Sequence, residues 1–103
     1  MKLRVGQTLS SPVDTTTLVV VRAPDADVEV TVAGVPVYDA KAGEAPPAGD
    51  ADPAQQDGTL LGKRYADEGL GLELLCAKAG QGTLAVDGAP LPLKDAKPLP
   101  ASD

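Results

Sequence analysis

The chain is predicted to fold as an all-β domain, a small barrel or sandwich of six short antiparallel strands. Three observations carry that expectation. Eleven glycines and ten prolines are scattered so that few stretches can sustain a helix. Val28-Glu29-Val30-Thr31-Val32 alternates apolar with polar residues, the period of a half-buried strand. Asp87-Gly88 stands between apolar segments and matches the type I′ hairpin turn, which needs positive φ at both central residues.

The strands follow in chain order. Residues 18–22 form a β-branched run consistent with a buried strand. Residues 28–32 are the second strand, Ala33-Gly34 the turn, and the segment around Pro36 the third. In the second half residues 72–76 and 83–86 alternate, and the strand after Asp87-Gly88 carries Pro90. Sliding the chain by 54 residues superposes these segments, with five identities at Leu18, Ala23, Val32, Gly34 and Pro36. Val5-Gly6-Gln7 resembles Leu61-Gly62-Lys63 with a two-residue offset. The reading is two duplicated three-strand halves, about 1–39 and 59–93, within one domain spanning 1–103. Chance matches among abundant Ala, Gly, Pro and Val are the alternative. The matched Gly and Pro fall where turns and sheet edges need them. Pro90 and Pro92 are two apart and cannot donate to a ladder, so both are expected on one free sheet edge. A partner adding a strand would need another edge.

Residues 40–58 are rich in Ala, Pro, Gly, Asp and Gln and are read as an acidic loop linking the halves. Residues 94–103, with Pro98 and Pro100, read as an extended tail.

Composition removes several chemistries. The net charge is −6, and the chain contains no His, Trp, Phe, Ile or Asn, one Cys and two Tyr. Without His there is no Ser-His-Asp or Cys-His pair and no imidazole metal site. One Cys makes neither an intrachain disulfide nor a four-thiolate site. An acidic chain poor in aromatics lacks the basic stripes and stacking platforms of nucleic-acid binders. No cofactor motif or metal set is expected. The start of the chain lacks the apolar core of a signal peptide, and its longest apolar run, residues 18–21, is far too short to span a bilayer. With one free Cys, the expected compartment is the cytoplasm.

Three groups of residues are weighed as sites. Cys76 is in phase with Leu72 and Leu74, so a core position is expected rather than a redox thiol, with Lys78 the only near cation in sequence. Asp50, Asp52 and Asp57 fail the EF-hand spacing and read as solvated loop acids. Lys63-Arg64-Tyr65-Ala66-Asp67-Glu68 holds the only adjacent basic pair inside the fold, beside a tyrosine. It is the best candidate site: Lys63, Arg64, Tyr65 and Asp67, with Tyr38, would line a pocket for an anion or carboxylate. The structural alternative is a strand whose charges pair with Asp67 and Glu68. Gly69-Leu70-Gly71 and Gly80-Gln81-Gly82 match no phosphate loop and read as turns.

Val32-Ala33-Gly34-Val35-Pro36-Val37 resembles a degraded Cys-Gly-x-Pro-Met knuckle of desulforedoxin-like and rubredoxin-like iron domains. Val32 stands where that family has Cys, and Leu75-Cys76 would be a remnant of the other half-site. The chain also resembles small, functionally unassigned proteins of high-GC bacteria, which implies no activity. The leading expectation is a non-catalytic accessory or binding module, a partner of a larger cytoplasmic enzyme or a homodimer. The alternatives are a cofactor-free enzyme or small-molecule-binding barrel with its pocket near Arg64 and Tyr65, and a degenerate metal or redox domain using Cys76.

Overall fold

The protein is described by a computed structural model over residues 2–41 and 50–94. The expected tail beyond Lys94 and the first part of the acidic loop, residues 42–49, lie outside the described residues.

The short β-branched and alternating segments form strands as expected. Among the described residues these are β1 (Thr8–Ser10), β2 (Thr17–Arg22), β3 (Val30–Val32), β4 (Val35–Pro36), β5 (Tyr38–Asp39), β6 (Arg64–Asp67), β7 (Leu72–Lys78), β8 (Leu84–Val86) and β9 (Ala89–Pro90). They build two antiparallel sheets, one of five strands in the order β5-β1-β2-β7-β6 and one of four in the order β4-β3-β8-β9. The expectation of six strands in a barrel or sandwich becomes, among the described residues, nine short strands in two sheets with no closed barrel. The three additional strands, β1, β5 and β6, are two to four residues long, and β1 and β5 lack an apolar alternation that would mark them in sequence. No helix of the described residues is long and apolar enough to cross a membrane.

One core joins the sheets. Leu9, Leu18, Val20, Leu72, Leu74 and Cys76 from the larger sheet cluster with Val30, Val32, Leu84 and Val86 from the smaller, and all are buried. Val37 and Leu91 are buried where the chain passes from one sheet to the other. Apolar side chains at every second residue thus meet across the interior, the burial that offsets the chain's ordering entropy.

The backbone pattern repeats. Gly6 N–H donates to Val20 O and Gly62 N–H to Cys76 O, at 2.8 and 2.9 Å. Val20 N–H donates to Gln7 O and Cys76 N–H to Lys63 O, both at 2.9 Å. Val37 N–H reaches Val30 O at 3.0 Å, and Leu91 N–H reaches Leu84 O at 2.9 Å. Ala40 N–H donates to Thr8 O, as Lys94 N–H does to Arg64 O. The hairpin turns match too, with φ of 53° and 79° at Ala33-Gly34 and 49° and 85° at Asp87-Gly88, as expected for type I′. The offset between matching residues is 56 in β1–β2 and 54 from β3 onward. The expected sequence alignment of Leu18 with Leu72 is therefore two residues off, and Leu18 occupies the place of Leu74.

Both central pairings join the first half to the second. β2 lies antiparallel to β7 with Val19 opposite Leu75, flanked by Leu18↔Cys76 and Val20↔Leu74. β3 lies antiparallel to β8 with Thr31 opposite Ala85. Register shifts fall between Thr17 and Leu18 and between Val20 and Arg22, one on each side of the Val19–Leu75 centre.

Pro36 and Pro90 sit in β4 and β9, the outer strands of the four-stranded sheet, where a missing donor is tolerated. Pro92 does not share that edge. Its carbonyl accepts Ala66 N–H at 3.1 Å, so by residue 92 the chain has crossed to the other sheet.

Residues 50–58 dock on the smaller sheet. Asp52 N–H donates to Ala33 O at 2.8 Å, Thr83 N–H to Gln55 O at 2.9 Å, and Gly58 N–H to Gln81 O at 2.9 Å. The glycines of Gly80-Gln81-Gly82 permit close packing there as well as a turn. A Cβ on Gly82 would lie 2.5 Å from Val32 Cγ1 and 3.0 Å from the Ala33 backbone nitrogen. Replacing Gly82 by Ala should lower unfolding stability in urea by about 1–3 kcal/mol, the usual cost of overpacking, while Gly69→Ala should cost less because its Cβ meets only the Asp67 carboxylate at 3.3 Å.

Candidate functional site

The expected pocket residues separate onto two faces of the larger sheet. Register places Thr8, Val19, Leu75 and Arg64 in one cross-strand row, and Arg22, Glu73 and Ala66 in the next. Tyr38, Ser10, Thr17 and Lys78 form a third. Paired residues share a face, and these rows are the face turned away from the core. Arg64 and Tyr38 both lie on it, yet β6 and β5 are at opposite ends of the sheet, so among the described residues no pocket unites them. Tyr65 alternates to the core side and is buried. Its hydroxyl accepts Leu60 N–H at 2.9 Å.

Asp67 and Lys63 have local tasks. The Asp67 carboxylate accepts Leu70 N–H at 3.1 Å and closes the β6–β7 turn, as Ser11 Oγ accepts Asp14 N–H at 3.3 Å in the β1–β2 turn. The Lys63 carbonyl accepts Cys76 N–H, and the side chain is exposed.

Arg64 pairs with Glu73 rather than with Asp67 or Glu68. Glu73 is 1% exposed although it belongs to the outer face. Lys94 Nζ approaches Glu73 Oε1 at 2.8 Å, and Arg64 Nη1 approaches Oε2 at 3.3 Å. The Lys94 hydrogen bond, opposed by burial and helped by the charges of Lys94, Arg64 and Arg22, holds the Glu73 carboxyl below the usual range. Two cations therefore contact one carboxylate, and Arg22, opposite Glu73 in register, adds a third charge nearby. Sequence reading missed Glu73 because an alternating strand glutamate looks solvated, and the strap that covers it arrives from residue 94.

The two ends of the molecule differ at matching positions. At one end Arg4 Nη2 lies 3.9 Å from Asp39 Oδ2, and Gln7 Nε2 donates to the same oxygen at 2.8 Å. These residues border a cleft of about 280 Å³ with Val5, Thr8 and Lys41. At the other end the matching residues are Leu60 and Leu93, 52% and 45% exposed. They border a cleft of about 250 Å³ with Tyr65, Leu84 and Leu91, rimmed by Pro90, Asp57 and Thr83. Leu61, next in the chain, is also exposed, but so is its counterpart Val5 at the other end, so the difference between the ends lies in Leu60 and Leu93. Exposed apolar side chains gathered at one place mark a contact surface more often than chance scatter does.

Cys76 is 1% exposed, and its Sγ donates to Lys78 O at 3.1 Å. Burial, partly offset by that contact and reinforced by the Asp14 charge, pushes the thiol up from its ordinary value. Val32 of the knuckle-like segment is likewise fully buried in the core. Comparison with protein-family models, with curated proteins and with solved structures finds no match.

These environments can be tested directly. Native Cys76 should react with a disulfide reagent at least 100-fold more slowly than in the urea-unfolded chain, on the order expected for a buried, protonated thiol; equal rates would show an accessible thiolate. Because the folded-state value of Glu73 is depressed, its contribution to stability is full above the unfolded value near 4.5 and is lost as pH falls through the lower folded value. Glu73→Gln should therefore flatten the acid limb of the stability–pH curve, measured by urea midpoints between neutral and strongly acidic pH.

Proposed function

We propose that the chain is a non-catalytic binding module whose two halves are copies of one unit. The matching hydrogen bonds and paired type I′ turns support the duplication. In this reading, positions alike in both copies hold the fold, and positions that differ report specialisation. The observation that carries the function is the exchange of the Arg4–Asp39 ion pair for exposed Leu60 and Leu93. An ion pair at a sheet edge discourages association, whereas exposed leucines over a cleft favour it. The buried thiol of Cys76, pushed up by its surroundings, makes a poor nucleophile and weighs against the redox alternative. The docking partner is a larger protein, with the module working as an accessory.

The matched ends supply their own control. A photo-crosslinking phenylalanine derivative replacing Leu60 in source cells should give a discrete protein adduct, and the same derivative replacing Arg4 should give none. Leu93→Asp should abolish the adduct while circular dichroism stays unchanged. Equal crosslinking from both ends, or substrate turnover by the pure chain, would overturn the reading.

A further inference from the structure

We infer that the partner docks as an extended acidic segment along the strap 92–94, with an apolar side chain in the Leu60–Leu93 cleft. The inference rests on the docking reading above and adds the partner's chemistry. Its first support is the backbone of the strap. Ala66 N–H donates to Pro92 O and Lys94 N–H donates to Arg64 O, while Leu93 bridges Tyr65. In that antiparallel pattern the Leu93 N–H and C=O point away from β6. They meet no partner among the described residues. A donor and acceptor at a sheet edge that no described residue occupies are what an added strand pairs with.

The second support is charge. Leu93 sends its side chain to the cleft, and Lys94 sends its ammonium to the opposite face, beside Arg64. Arg64 and Lys94 both pair with the single carboxylate of Glu73, and Arg22 lies opposite Glu73 in register, which leaves local positive charge on a chain of net −6. A partner segment crossing the strap meets apolar surface with Asp57 at its rim on one side and cations on the other, where residues next to the apolar side chain point. Carboxylates flanking an apolar residue complement both. The same charges oppose the other obvious occupant. A second copy pairing strap to strap would bring Arg64 and Lys94 of each chain together, and like charges placed face to face cost affinity. The corresponding edge at the other end is guarded differently: Asp39 there is engaged by Gln7, by Arg4 and by the Lys41 N–H.

The test uses the full chain labelled with nitrogen-15 and three end-blocked pentapeptides, a leucine between two pairs of glutamate, glutamine or lysine. The glutamate peptide should shift the amides of Leu60, Leu93 and Lys94 and bind about fivefold more tightly than the glutamine peptide at low salt, the scale of two exposed ion pairs. That preference should vanish at high salt. Arg64→Gln, which leaves Lys94 on Glu73, should reduce it while glutamine-peptide binding is unchanged. Equal binding of all three peptides, or preference for lysine, overturns the acidic partner and leaves the docking surface standing. Failure of every peptide to move Leu93 overturns the strap as the docking edge. A dimer on light scattering with a protected Leu93 amide overturns it in favour of a second copy. Crosslinking at position 60 reports separately on the docking reading itself.

Discussion

Everything in this domain depends on two antiparallel pairings between halves, β2 with β7 and β3 with β8. Each sheet is completed only when a strand from the first half meets a strand from the second. Val19 against Leu75 and Thr31 against Ala85 are the centres of these pairings, and strands are added outward from them in matching order. The core lies between the paired centres, so Leu18, Leu74, Val32 and Leu84 are buried by the same arrangement that sets the hydrogen-bond ladder. A core of Val and Leu without Phe or Trp is thin for its length, because aromatics bury more surface each. Close fit compensates, as at Gly82, where no side chain could be added without displacing Val32.

That arrangement leaves the outer strands free to differ. Turn closures, the positive-φ glycines at Gly6 and Gly62 and the passage of Val37 or Leu91 between sheets are alike in both halves. The differing positions cluster around β6 and the strap. There Leu60, Leu93, Arg64, Glu73 and Lys94 stand where the other half has Arg4, Asp39, Thr8, Thr17 and Ala40. The apolar cleft and the cation-rich face lie on the two sides of one short edge.

Much of the fold was legible in the sequence, and the reasons are local. Valine alternation marked β3, the β-branched run marked β2, and Asp87-Gly88 marked its hairpin because few dipeptides tolerate positive φ twice. Three-residue β1 and two-residue β5 carry no such signal; tertiary pairing alone makes them strands. The candidate site was half legible. Arg64 and Tyr65 are adjacent in sequence, but adjacency in a strand sends side chains to opposite faces, so the pair divides between the cation cluster and the cleft. Glu73 and Lys94 were missed because their partnership depends on the strap's return to β6.

The cross-half pairing also bears on how the chain reaches its native state. Both central ladders join residues more than fifty positions apart, as in Val19 with Leu75 and Thr31 with Ala85. Such a topology closes large loops before it is rewarded with ladder bonds, which slows folding relative to a chain of local hairpins. During synthesis the first half emerges with β2 and β3 each open on the side that β7 and β8 later fill. In that interval the open ladder of the apolar run Leu18-Val19-Val20-Val21 is the element most in need of protection. The acidic excess of the chain supplies charge repulsion against premature association.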